Sequence, residues 1–294
     1  MNRKNFLKTC SVLSLTPVAM KLNALNKITS SYSSTATMPL LFLGHGSPMN
    51  AIADNEFTRG FTAISTRFEK PKAILCISAH WETQGTYITG MEQPRTIHDF
   101  GGFPQELFEV QYPAPGSPEL AKETKALIQG TEVQLTDKWG LDHGAWSVIK
   151  HLYPNADIPV IEMSIDYQQN PQYHYELGKQ LASLRKKGVL IIGSGNLVHN
   201  LRMVDWRKLN TSGYAFDWAE EARMKMNEWI LDDNHQALIN YEKQGSALKL
   251  AIPTPDHFLP LLYVLASKEK QEEISLFNDQ AVGGSLSMTS VFIQ

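Results

Sequence analysis

Nine histidines are spread over the 294 residues. At neutral pH imidazole is the side chain best suited both to bind a divalent metal and to move a proton. Four of the nine, His45, His80, His199 and His257, sit in turn-rich surroundings. His45 follows the apolar run Leu40–Leu43 and is flanked by Gly44 and Gly46, which let the backbone turn and leave the ring uncovered. His80 comes just after the run Ala73–Ser78 and is followed by Trp81 and Glu82. His199 comes after Val189–Ile192 and the stretch Gly193-Ser194-Gly195-Asn196. Three apolar runs therefore each deliver a histidine at or just past their ends, where adjacent parallel strands open onto one crevice. His257 follows Pro253-Thr254-Pro255-Asp256, a segment that fixes the chain and starts a helix.

There are two cysteines, Cys10 near the N-terminus and Cys76 inside an apolar run. That excludes a disulfide framework and a cysteine-based zinc site, and makes Cys76 a small buried hydrophobe. A metal held by the histidines would have nitrogen and oxygen ligands. Glu82 could orient a ligand or supply an extra carboxylate. The residues by themselves leave two readings open, a histidine metal site and scattered structural histidines.

His143 stands apart from those four. Asp142-His143-Gly144-Ala145-Trp146 puts an imidazole beside a carboxylate, a glycine and an indole. It is a candidate proton shuttle with Asp142 as its expected orienter. His151, His174 and His235 lie in helical or polar settings and are expected at the surface or in core packing; His98 is expected either to line a pocket or to pack. Gly193-Ser194-Gly195-Asn196 matches neither phosphate-loop pattern and reads as a tight turn that sets up His199. Gly44-His45-Gly46-Ser47 is not a nucleophile elbow, so Ser47 is not expected to attack a substrate. Trp81, Phe100, Phe103, Trp139 and Trp146 could wall a site or simply pack.

Elements must position these groups. Helical spacing covers Glu56–Arg67, Ser117–Gln129, Pro171–Lys187, Ala215–Leu231 and Asp256–Ala266, with a short helix after Trp146. Strands are expected at 40–43, 73–78, 86–89, 131–135, 158–165 and 188–193, with one or two more in 275–294. Met91–Ser117 is long, irregular and rich in Pro, Gly and aromatics, as lids and rims often are. Alternating strands and helices predict a single α/β domain, with a mixed, mostly parallel sheet sandwiched by helices.

Composition narrows the function. A net charge of −3 and no long basic run give nucleic-acid binding little support. Residues 1–37 read as a leader and linker: Arg3, Lys4 and Lys8, a moderately apolar stretch Cys10–Met20, then a Ser/Thr-rich segment. Arg3-Lys4-Asn5-Phe6-Leu7-Lys8 is similar to a twin-arginine export signal with Lys in place of the second Arg, so periplasmic export is expected; the alternative is a cytoplasmic extension. The stretch is too short and polar to be a membrane span. Residues 38–294 form the expected catalytic domain.

Five motifs, GHGSPM (44–49), SAHWE (78–82), LDHGAW (141–146), GSGNLVHN (193–200) and TPDHFLP (254–260), occur in an order that resembles the DOPA-type class III extradiol ring-cleavage dioxygenases. The resemblance spans residues 38–294. It implies one metal in a crevice, with iron(II) for activity or zinc as bound. By motif it implies that His45, His80 and His257 are metal ligands and His199 is a fourth metal-proximal histidine that ligates or acts as acid/base. His143 would be a second acid/base or a substrate-binding residue. In the wider class III group a glutamate stands where His257 stands here. The implied reaction opens the ring of a DOPA-like catechol with O2 to a muconate semialdehyde. The alternatives are a zinc-dependent hydrolase and a non-catalytic metal-binding protein on the same scaffold.

Overall fold

A computed structural model describes residues 37–209 and 211–294. The leader expected over residues 1–37 therefore lies, but for Thr37, outside the described residues. Thr37–Gln294 is one compact unit. Its strands are β1 (Leu40–Gly44), β2 (Ala73–Thr83), β3 (Thr86–Thr89), β4 (Val133–Thr136), β5 (Val160–Asp166), β6 (Val189–Gly195), β7 (Ile274–Phe277), β8 (Ala281–Val282), β9 (Leu286–Ser287) and β10 (Ser290–Ile293). Its helices are α1 (Glu56–Ile64), α2 (Gln105–Phe108), α3 (Pro118–Leu127), α4 (His143–Leu152), α5 (Pro171–Leu181), α6 (Asp217–Leu231), α7 (His235–Ile239), α8 (Ser246–Ala251) and α9 (Leu259–Ala266).

Eight strands form one sheet in the order β4-β3-β5-β2-β6-β1-β10-β7. The central four, β5, β2, β6 and β1, are mutually parallel. β10 joins β1 antiparallel, and β3 joins β5 antiparallel. Every residue of β1, β5 and β6 is buried, as continuous apolar runs with helices over both faces require. Alternation along the strands sends side chains to two cores. Leu40, Phe42, Leu75, Ile77 and Ile191 meet α5, α6 and α9 on one face. Leu41, Leu43, Ile74, Cys76 and Ile192 meet α1 and α4 on the other. Each fully buried Leu or Ile contributes roughly 1.5–3 kcal/mol from apolar burial.

Helix starts follow local chemistry. Asn55 caps α1 reciprocally with Thr58, Ser117 and Pro118 open α3, and Asn170 and Pro171 open α5. Several expectations change: the final segment carries four strands rather than one or two, and the helix expected after Trp146 already starts at His143. β2 runs on to Thr83 rather than stopping at Ser78. Ile77 pairs with Met163 and Glu82 with Ile165, so β2 carries extra residues across this interval, and the resulting bend holds His80. Gly193-Ser194-Gly195 is not a tight turn but the end of β6. The glycine there serves packing: a Cβ on Gly195 would collide with the His257 carbonyl, whose oxygen instead accepts a hydrogen bond from Asn196 N–H at 2.9 Å. The last helix starts at Leu259, not Asp256, which leaves His257 in the loop before it.

Candidate active site

Because the central strands are parallel, the loops after β1 and β6 and the bend of β2 share one edge of the sheet. Three imidazoles, from His45, His80 and His257, meet there, each offering a ligand nitrogen within 4.8 Å of the other two. Ring centroids lie 5.0 Å apart for His45–His80, 5.2 Å for His45–His257 and 4.9 Å for His80–His257.

The hydrogen bonds behind the rings decide which nitrogens are offered. Ser194 Oγ donates to the Gly144 carbonyl at 2.5 Å, so it accepts from His45 Nδ1–H at 3.0 Å. His257 Nδ1–H donates to Asp256 Oδ2. His80 Nδ1 lies 3.5 Å from Asp99 Oδ2. With each Nδ1 turned to an oxygen, Nε2 carries the lone pair; His45 Nε2 and His80 Nε2 stand 3.2 Å apart. Two lone pairs facing at that distance repel unless a cation lies between them. The donor set, neutral nitrogens aimed at one point, fits a divalent metal.

The electrostatics agree. Burial first, and then the neighbouring imidazoles, hold His45 and His80 well below the usual histidine range. Neutral imidazole is the ligating form. Burial alone would raise Asp256, but the hydrogen bond from His257 holds its carboxyl below the usual range, as an anion behind the ligand.

His199 takes a different place. Its ring stacks on His257 at 3.4 Å between centroids and 9° between planes, and its nitrogen groups with Asp256 and His257 rather than with His45 and His80. Burial, then His257, lowers it to about 3. It lines a cavity of about 350 Å³ together with Asn200, Arg202, Thr254, Asp256 and His257. A larger cavity of about 620 Å³, lined by the stacked pair Trp81 and Trp139, contains no imidazole. The smaller one is therefore the one that opens on the chemistry.

His143, the first residue of α4, lies against His80, with ring centroids 3.8 Å apart and planes tilted by 46°. Its orienter is Asp99, not Asp142. Asp99 Oδ1 accepts from His143 N–H and Oδ2 from Nδ1–H, both at 2.8 Å. The Asp99 backbone is exposed, but its carboxylate is only 16% exposed. Burial pushes the carboxyl up, and the bonds from His143 outweigh it and bring it below the ordinary range. Asp142 instead caps α4, accepting from Ala145 N–H at 3.2 Å. Glu82 is exposed; burial of part of its side chain, then Asp256, raises its carboxyl, and the supporting carboxylates are Asp99 and Asp256.

The other expected groups resolve as follows. His151 donates to Asn50 O, His98 to Val110 O, and His174 and His235 pair with the hydroxyls of Tyr263 and Tyr175. Ser47 caps the turn Pro48–Ala51. Phe100 reaches His143 at 5.4 Å and packs on Phe103 and Trp146, while Trp146 is fully buried and donates to Ile97 O. Asp99, Ser194 and Asp256, as the partner of His257, are the residues whose roles sequence reasoning missed. Asp99 gave a weak signal, an acid within the irregular aromatic stretch; Ser194 was hidden in the supposed turn.

Comparison with known proteins agrees with this geometry. Residues 37–283 match the family described as the catalytic LigB subunit of aromatic ring-opening dioxygenase. The chain belongs to this family. A 4,5-DOPA dioxygenase extradiol of Escherichia coli K12 is 46% identical over 263 residues, covering 88% of this chain and 96% of the relative. The enzyme of the same name from Beta vulgaris is 36% identical, covering 85% and 94%. The crystal structure of an uncharacterized Escherichia coli K12 protein, 40% identical, superposes with a TM-score of 0.74 over 87% of this chain and all of that one. LigB-type ring-opening dioxygenases use a single metal, and the chain is an extradiol ring-opening dioxygenase by family. Neither a hydrolase nor a non-catalytic role is favoured. No helix among the described residues is long and apolar enough to cross a membrane.

Proposed function

We propose that the protein opens the ring of a DOPA-like catechol with O2 to give a muconate semialdehyde, using one iron(II) held by His45, His80 and His257. The observation that carries this reading is the set of three imidazoles whose Nδ1 atoms are all turned to oxygens, beside a fourth that is gripped by a carboxylate. When bound, iron(II) would supply chelation of the two catechol oxygens and a path for electrons to dioxygen, which zinc lacks.

The chain's own residues supply the proton chemistry. Asp99 fixes the Nδ1–H of His143, which leaves Nε2 to take a proton from the catechol hydroxyl. His199, kept neutral by burial beside the smaller cavity, serves as the second acid/base group. Phe100, edge-on to His143, gives the ring an apolar wall that excludes water from that proton.

The test is anaerobic loading with iron(II), followed by L-DOPA and a panel of other catechols in aerated buffer. A yellow semialdehyde with matched oxygen uptake is expected; no turnover over the panel overturns the reading, and oxygen-independent turnover with zinc selects a hydrolase. We also propose that residues 1–37 are an export leader, on the strength of the Arg3, Lys4 and Lys8 cluster ahead of an apolar stretch. N-terminal sequencing of native protein should find a start beyond the apolar stretch, and a mature start at Met1 overturns it.

A further inference from the structure

Glu162 is an anomaly in the middle of β5. It sits between Ile161 and Met163 on a strand buried along its whole length, and is 0% exposed. Its Oε1 accepts a hydrogen bond from Asp142 N–H at 2.9 Å, and among the described residues no N–H or O–H donates to its Oε2. Asp142 is equally buried. Its carboxylate accepts from Ser78 Oγ–H at 2.6 Å, from Ala145 N–H at 3.2 Å and from Trp139 Nε1–H at 3.4 Å.

The two carboxyl groups are within hydrogen-bonding reach of each other, and among the described residues neither pairs with a lysine or arginine. Two adjacent anions in a dry core are too costly to persist, so the pair holds a proton. Asp142 is ringed by donors and suits the anion. Glu162, with an oxygen that receives no donor, suits the neutral acid and donates from that oxygen to Asp142. Burial, then Asp142, pushes Glu162 well above the carboxylate range, in keeping with this.

Asp142 stands at a joint. It caps α4, whose first residue is His143. Through Ser78, whose Oγ also accepts from His80 N–H at 3.3 Å, it holds the bend of β2. The helix and the strand meet closely here, because a Cβ on Gly144 would collide with Ser78 Oγ.

We propose that Glu162 is a positioning residue: its protonated carboxyl holds Asp142 from the core side, and Asp142 in turn fixes the first turn of α4 and the bend of β2 that carry His143 and His80. The turnover arm of its test rests on the catechol reading; the exchange arm does not.

The experiment compares Glu162→Gln with Glu162→Leu in the full chain, measuring metal content, kcat, KM and amide hydrogen exchange of Ala145 and Trp146. Gln reproduces both an acceptor for Asp142 N–H and a donor to its carboxylate, so kcat within about twofold of the parent is expected. Leu fills the space without either. It should retain the metal and leave KM nearly unchanged, lower kcat by roughly tenfold or more, and speed exchange of the two amides by about tenfold. Leu with parental kcat and exchange, or Gln as impaired as Leu, overturns the proposal. If Glu162→Leu does not fold, Glu162→Met repeats the comparison; failure of both while Gln folds assigns the polar contacts of Glu162 to folding rather than to positioning and also overturns it. A parent protein with no turnover on any catechol overturns the functional reading instead, and the exchange rates still decide the role of Glu162.

Discussion

A carboxylate that grips both the backbone N–H and the ring of one histidine restricts that ring in two directions at once. Asp99 holds His143 at 2.8 Å on both atoms but stands 3.5 Å from the ligand His80, so its loss should act on rate more than on metal. Asp99→Asn is expected to keep the metal while kcat falls by about 10- to 100-fold. Metal analysis beside steady-state kinetics checks this, and metal loss would move Asp99 to a different role. His143→Ala should likewise keep the metal and lower kcat by roughly 10²- to 10⁴-fold. His45→Ala or His80→Ala should lose the metal on dialysis, and full occupancy in either variant would refute the ligand assignment. His45, His80, His199 and His257 were legible because each follows an apolar run or a proline-rich segment. Their orienting groups were less so. Asp99 lies 44 positions before the ring it holds, Ser194 is 149 positions from His45, and nothing in local sequence links such pairs.

Among the elements, those with strong periodicity or clear caps were readable, and those bent by tertiary contact were not. The starts of α1, α3 and α5 follow from Asn55, Ser117 and Asn170, but the helices end earlier than their apolar spacing suggests, at Ile64, Leu127 and Leu181, with 3-10 turns after the first and the last. The extension of β2 to Thr83 was not readable. Pairing with β5 creates it, and His80 and Glu82 do not look like strand interior. The end of β6 was misread because glycine usually signals a turn. Here Gly195 makes room for the His257 carbonyl. Gly195→Ala should therefore push the His257 loop outward, costing about 1–3 kcal/mol of stability from overpacking and weakening metal binding. Denaturant unfolding and a competitive chelator titration measure both; an unchanged metal affinity would show that the loop adapts.

For the molecule as a whole, acid is the weak side. His174 is buried against Tyr263, and burial lowers it to about 4. As pH falls below about 6.5 the unfolded chain takes up a proton at this position and the native state does not. Stability is thus fully present above that pH and is lost progressively toward pH 4, by at most ~3 kcal/mol. His174→Gln should flatten the dependence of urea-unfolding stability on pH over this window, and an unaltered slope would exclude His174 as its source.

The loops that meet at the sheet edge come from opposite ends of the fold: His45 follows the first strand and His257 precedes the last helix, more than two hundred residues later. A metal held by both is a non-local clasp, and such long-range closure forms late in folding because its loop entropy must be met first. It would be largely absent from the transition state. Loading the protein with metal should then leave the folding arm of the chevron nearly where it was and slow the unfolding arm. Measured this way, the ion that enables turnover would also set how long the folded molecule lasts.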